Sequence, residues 1–433
     1  MIQIIKNPDV ALWPSLCRRA TFDDAAIDSR VRGILALVKE EGDKALRALA
    51  DEIDGFCPES FLVSEEELAN SASYVPQSLQ EAIRTAKRNI EVFHQKELPS
   101  SFTAETMPGV VCQRRMLPIR RVGLYIPGGS APLFSTILML AIPAKIAGCP
   151  EVILCTPCDK KGIVNPVILW TAQLCGVSTI YKLGGAGAVA AMAYGTETIK
   201  PVCKIFGPGN RYVTKAKQYV STEGVAIDMP AGPSEIMVLA DDTANPLFIA
   251  ADMLSQAEHG PDSQALVVCH SEETAQRINE ELDAQIKLLP RATIATKALQ
   301  NSRIVVFDTN DTSERDSLYL RFADSYAPEH LIIEMKDPWA IASKVTAAGS
   351  VFVGHFSPES AGDYASGTNH TLPTMGLAKS FSGVGVDSFL HAISYQELTS
   401  DGLELLSQTI ISMAEAEGLT AHANAVKVRV GQK

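Results

Sequence analysis

Tyr326-Ala-Pro-Glu-His330 sets a carboxyl and an imidazole side by side just ahead of the apolar run Leu331 to Ile333. Adjacent groups of these types suit proton transfer, because an imidazole titrates near neutrality and burial can raise a carboxyl toward the same range. A Glu-His pair that only decorates a loop before a strand has the same appearance. Gln256-Ala-Glu-His259 closes an apolar stretch of helical period, and its i, i+3 spacing puts the Gln and His side chains on one face. Two metal ligands could be offered there, although two-residue matches are common and, taken alone, the pair reads first as a capped helix end with a solvated His. Glu258 would point elsewhere and reads as structural.

Ser360-Ala-Gly-Asp-Tyr-Ala-Ser-Gly-Thr-Asn-His370-Thr-Leu-Pro373 is dense in small and polar residues, with Asp363 and His370 as its ionisable members. Irregular loops of this kind commonly build binding sites on rigid scaffolds. Glu417-Gly-Leu-Thr-Ala-His422 brings an acid and an imidazole together across a glycine break, a pattern that a wet terminal helix also produces. Gly184-Gly-Ala-Gly187-Ala-Val-Ala190 follows a predicted strand and opens a predicted helix, as a dinucleotide-binding turn would. No acid lies at the end of the next strand, where Lys204 stands instead, so a close-packed strand-to-helix turn is an equal reading. Tyr125-Ile-Pro-Gly-Gly129 and Phe206-Gly-Pro-Gly-Asn210 are two further glycine-proline turns at strand ends, and three such loops on one edge favour a nucleotide crevice. Cys155-Thr-Pro-Cys158 has redox or zinc spacing, but no second pair completes a four-thiolate site.

These residues need a scaffold, and the hydrophobic pattern supplies one. Ser29 to Asp54 and Gln77 to Leu98 read as two long amphipathic helices. From Val122 onward β-rich runs alternate with helical stretches: strands at Val122 to Ile126, Glu151 to Cys155, Thr179 to Lys182 and Cys203 to Phe206. A second series has strands near Ser234 to Ala240, Gln264 to Cys269, Arg303 to Phe307, Leu331 to Glu334 and Val351 to Val353. Such alternation implies right-handed crossovers, hence an α/β fold with two doubly wound, mostly parallel sheets. A helical tail spans Leu403 to Val428.

The chain has 433 residues, 46% of them hydrophobic and 20% charged, enough for more than one core. A formal charge of -12 and the lack of a basic patch argue against nucleic-acid or anionic-membrane partners. No apolar run approaches a membrane span, and the N-terminus lacks an export signal. Nine cysteines, an odd and scattered set, point to a reducing, cytoplasmic setting.

From about residue 25 onward the chain resembles the histidinol dehydrogenase family. The resemblance rests on Arg121-Val-Gly-Leu-Tyr-Ile-Pro-Gly-Gly129, Ile205 to Arg211, Pro230-Ala-Gly-Pro-Ser-Glu235, Gln256 to Gly260, Tyr326 to Leu331, the Ser360 to Pro373 loop and Glu417 to His422. It implies a homodimer with shared active sites, one zinc ion per subunit, and NAD used twice per turnover to take L-histidinol through L-histidinal to L-histidine. It also implies two incomplete Rossmann-like domains, one made of 25–123 with 236–384 and the other, NAD-binding, of 124–235. A small N-terminal extension, 1–24, and a C-terminal helical dimerisation segment, 385–433, would flank them.

On family positions, Gln256, His259, Asp363 and His422 would be the zinc ligands, the last from the partner chain. Glu329 and His330 would be the catalytic pair, and Ser234, His370 and Glu417 would hold the substrate beside the metal ligands and His330. Tyr125, Gly187 and Asn210 fall on NAD contacts, Gly187 standing where the family typically has Gln. The resemblance implies that His330 serves both oxidations, while Glu329 activates the water that adds to the aldehyde. The alternatives are a paralogue acting on another small polyol or amino alcohol, and a catalytically silent NAD-binding protein.

Overall fold

The computed structural model describes residues 2–19, 25–128, 132–230, 232–309 and 311–430. Gly129 and Ala231, which belong to two of the motifs above, lie outside the described residues.

Two parallel sheets dominate. The larger has six strands in the order Gln3–Lys6, Arg303–Val306, Gln264–Cys269, Glu235–Ala240, His330–Glu334 and Ser350–Val353. All its pairings are parallel. Every residue of Glu235–Ala240 and Gln264–Cys269 is buried, because helices cover both faces. Ile236 and Val238 face the helices Pro246–Ala257 and Glu272–Gln285, whereas Met237 and Leu239 face Trp13, Tyr319 and Phe322. The smaller sheet runs Thr179–Lys182, Glu151–Thr156, Arg121–Tyr125, Lys204–Phe206 and Ala226–Ile227, again parallel.

In the segment 25–123, the apolar side chains of the helix Ala25–Glu41 pack on the helices Gly185–Tyr194 and Arg211–Thr222 beside the smaller sheet. Ile83 and Ile90 of the helix Gln77–His94 join the opposite face of that same sheet. Residues 1–24 are more than an appendage, since Gln3–Lys6 forms an edge strand of the larger sheet against Arg303–Val306. The amphipathic run Ser29 to Asp54 is not one helix. It breaks at Gly42, whose φ is 56° and where a Cβ would sit 2.4 Å from Glu197 Oε2.

The segment 385–433 is not purely helical either. Leu390–Leu398 pairs antiparallel with Val110–Pro118, which pairs with Phe102–Met107. Their inside-outside alternation is weak because Leu390–Leu398 has no buried residue, which hid it from the hydrophobic pattern. Beyond it, the helices Ser400–Ala416 and Thr420–Lys427 turn at Gly418 and pack on each other, leaving Leu405, Met413 and Leu419 exposed. Among the described residues no helix is long and apolar enough to cross a membrane.

Candidate functional site

Two neighbouring strands of the larger sheet, Glu235–Ala240 and His330–Glu334, begin side by side, with His330 in register with Ile236. The helix Thr312–Tyr326 stops at Ala327, whose φ of 52° is a left-handed turn, and Pro328 then feeds the chain into Glu329 and the strand. Glu329 and His330 thereby emerge at the amino edge of the sheet, 6% and 4% exposed.

One peptide unit orients both. The Glu235 N–H donates to Glu329 Oε2 at 2.9 Å, and His330 Nδ1 lies 3.2 Å from Glu235 O. A carbonyl can only accept, so Nδ1 carries the proton and Nε2 keeps its lone pair in the neutral ring. Nε2 is buried without a hydrogen bond, 3.7 Å from Asp363 Oδ1. On its other side the ring lies 3.7 Å from Glu329 Oε2 and 3.6 Å from Glu359 Oε1.

Three carboxylates therefore converge on one imidazole in a dry setting. Burial pushes Glu329 up to about 8, against the pull of His330. Burial also opposes charge on His330, but Glu359, Glu329 and Asp363 outweigh it and push the ring up to about 10. Glu359 is raised by burial, while Asp363 is held below its usual value because His330 outweighs its desolvation.

His259, Glu359 and Asp363 each offer a ligand atom, and these atoms all lie within 4.8 Å of one another. Gln256, fully buried in the last turn of the helix Pro246–Ala257, two residues past which His259 follows in a turn, sets its amide against Glu359 Oε1. With the nitrogen toward Glu359, the amide oxygen accepts from Glu235 N–H at 2.6 Å; turned the other way, the oxygen faces the Glu359 carboxylate, an arrangement that a cation between them would satisfy. Imidazole nitrogen, carboxylate oxygen and amide oxygen form a donor set that suits zinc or a similar divalent ion, and the excess of buried negative charge fits a cation.

Three of the four expected ligands, Gln256, His259 and Asp363, are thus brought together. The fourth, His422, is exposed on Thr420–Lys427 and does not join the cluster. Glu359 takes a place that sequence reasoning missed. Its signal was the i, i+4 spacing to Asp363, which the helix Glu359–Tyr364 turns into one shared face, but the segment singled out began one residue later.

His370 is tied in as well: Nδ1 donates to Asp363 O at 2.9 Å, leaving Nε2 to accept from Thr136 at 3.2 Å. Thr136 belongs to Phe134–Ala147 of the smaller-sheet half, so His370 spans the two halves. Ser234 is half-buried immediately before the strand Glu235–Ala240. Glu417 is exposed at the end of Ser400–Ala416, apart from this cluster.

The expected cofactor contacts gather at the carboxyl edge of the smaller sheet. Tyr125 is 4% exposed and its hydroxyl accepts from Gly185 N–H at 3.1 Å. Gly207, at φ 123°, brings its backbone so near Tyr125 O that a Cβ would sit 2.1 Å away. Asn210 caps the helix Arg211–Thr222 by accepting from Tyr212 and Val213 N–H. Gly187 lies in a cleft lined by Leu46, Ile53, Cys158 and Lys182, with Leu46 and Leu49 closing the space beside its Cα. The cysteine pair is free, and burial pushes Cys155 up to about 12, which leaves it an inert thiol.

The family model described as histidinol dehydrogenase matches residues 17–430. A histidinol dehydrogenase of Bacteroides thetaiotaomicron is 50% identical over 430 residues, 99% of each chain. One from Vibrio cholerae is 49% identical over 415 residues, 95% of this chain and 94% of that one. The crystal structure of histidinol dehydrogenase from Elizabethkingia anophelis superposes with a TM-score of 0.94 at 47% identity, covering 99% of this chain and 98% of that one.

Proposed function

Because the chain belongs to the histidinol dehydrogenase family, which acts in histidine biosynthesis, we propose that it oxidises L-histidinol to L-histidine through L-histidinal, with two NAD consumed and one zinc ion held per subunit. The observation that carries this reading is the convergence of Glu329, Glu359 and Asp363 on His330, with His259 and Gln256 alongside. Gln256, His259 and Asp363 would hold the metal, and Glu359 stands close enough to join them. When bound, the ion supplies a fixed positive charge that orients the amino alcohol.

This chain's own residues do the proton work. With a bound cation offsetting the carboxylates that otherwise hold the ring protonated, His330 Nε2 would take the hydroxyl proton as the carbinol carbon gives hydride to NAD. The aldehyde stays bound, and Glu329, poised near neutrality, draws a proton from water as the water oxygen adds to the carbonyl carbon. In the same step His330 returns its proton to the carbonyl oxygen, which completes the hydrate and frees Nε2. His330 then deprotonates the hydrate as its C–H hydride passes to a second NAD, leaving the carboxylic acid, which ionises to the carboxylate. Ser234 and His370 would position the substrate's amine and imidazole ends. Tyr125, Gly187 and Asn210 would line the NAD side, across the gap that His370 spans.

A homodimer accounts for His422 and Glu417, which a second copy would carry into the site on its tail. The exposed Leu405, Met413 and Leu419 of that tail favour such an interface. Nine free cysteines suit a reducing cytoplasm. The test is stoichiometry in purified protein: two NADH should form per histidinol, activity should vanish on chelation, and zinc should restore it. One NADH per substrate, or indifference to the chelator, would contradict the proposal.

A further inference from the structure

Arg19 lies in the segment 1–24, ahead of the residues that carry the resemblance, yet its guanidinium reaches the amino edge of the larger sheet. Its Nε and Nη2 donate to the two carboxylate oxygens of Glu235, each at 2.8 Å, and Nη2 also donates to Tyr326 O at 2.7 Å. The guanidinium lies over the Tyr326 ring, 3.7 Å from its centroid. The ion pair is buried, with side-chain exposures of 12% for Arg19 and 1% for Glu235. Tyr326 is fixed in turn by its hydroxyl, which donates to Gln264 Oε1 at 2.8 Å.

Arg19 therefore grips the two walls on which the site depends. One is Glu235, whose peptide N–H holds Glu329 and whose carbonyl takes the Nδ1 proton of His330. The other is the Tyr326 carbonyl, next to the left-handed Ala327 that turns the chain toward Glu329. Both grips need a planar fork that stacks and donates in two directions, which an ammonium group does not provide.

From these contacts we propose that Arg19 is a positioning residue for the proton-transfer pair, setting through Glu235 and the Tyr326 carbonyl where Glu329 and His330 Nε2 stand relative to the substrate. It touches no reacting atom. The proposal rests on Glu329 and His330 being the catalytic pair, and that assignment fails separately if replacing either one leaves turnover unchanged.

The test compares Arg19→Lys with the double variant Arg19→Gln/Glu235→Gln in the full-length, zinc-loaded enzyme. Arg19→Lys keeps the charge that buried Glu235 requires, and the double variant removes both charges, so neither leaves an uncompensated ion. Because an ångström of misplacement can cost about a hundredfold in rate, kcat per folded site should fall about tenfold in Arg19→Lys and further in the double variant. The loss should appear with histidinol and with histidinal, while KM for NAD stays within about twofold. A purely structural role would lower the melting temperature and leave kcat per folded site intact. Unchanged kcat in either variant, or a loss confined to KM or melting temperature, overturns the proposal.

Discussion

Replacing Glu329 by Gln removes a charge while keeping the shape of the side chain, since an amide oxygen can still accept the Glu235 N–H that now meets Glu329 Oε2 at 2.9 Å. Two consequences of opposite sign follow. Burial raises the carboxyl from its ordinary 4.5 to about 8, so the folded protein keeps a proton that the unfolded chain has lost. Stability then falls as pH rises from the ordinary value through the folded one, by on the order of 3 kcal/mol at neutral pH. Gln carries none of that dependence, although losing the attraction between Glu329 and His330 trims the gain. In chelator-treated protein the variant should melt a few degrees above the parent at pH 8 and about level with it at pH 5.

Catalysis should move the other way. With no base to draw a proton from water, oxidation of histidinal should slow about a hundredfold, a barrier increase of ~2.7 kcal/mol. Oxidation of histidinol to the aldehyde depends on His330 and should fall much less. Thermal melts at the two pH values and single-turnover NADH formation from each substrate measure both halves. Melting differences that ignore pH, or equal losses in the two oxidations, would refute the reasoning.

Glu359→Gln should weaken zinc binding by about 10–100-fold, read by competition with a chromophoric chelator, because it removes a buried carboxylate next to His259 and Asp363; unchanged affinity would show that Glu359 lies outside the metal's reach. His422→Asn and His259→Ala should each be inactive alone. Denatured together and refolded as mixed dimers, they should recover about a quarter of the parent activity, since one site of each heterodimer takes both histidines intact; no recovery would place His422 elsewhere.

How far the sequence showed this arrangement depended on what each residue faces. Glu235–Ala240 and Gln264–Cys269 are buried along their whole length, so their apolar runs announced strands. Leu390–Leu398 is wet on both sides and announced nothing. Gln256, His259, Glu329 and His330 were visible as local pairs, but their meeting is a product of tertiary structure that neither motif encodes. Glu359 escaped because its partner Asp363 drew attention to the small-residue loop rather than to the turn before it. Arg19 had no local signal at all, since its role comes from Glu235 and Tyr326, more than two hundred residues away. Glu417 and His422 were visible only as an acid and an imidazole flanking a glycine, their roles came from family resemblance, and their own chain leaves them in solvent.

The Glu-His pair and Glu235 stand where strands of the larger sheet begin, not where they end. In doubly wound folds the variable loops that take up ligands leave from the carboxyl ends, and here those exits, 241–245 and 335–338, lie a full strand length from the proton-transfer pair. The spacing of the pair is instead written into sheet register, His330 against Ile236 and Ser350. An insertion within 335–338 would therefore leave that register intact and could carry a fused domain, whereas one in 354–358, which leads into Glu359 and Asp363, would pass its displacement to the chemistry.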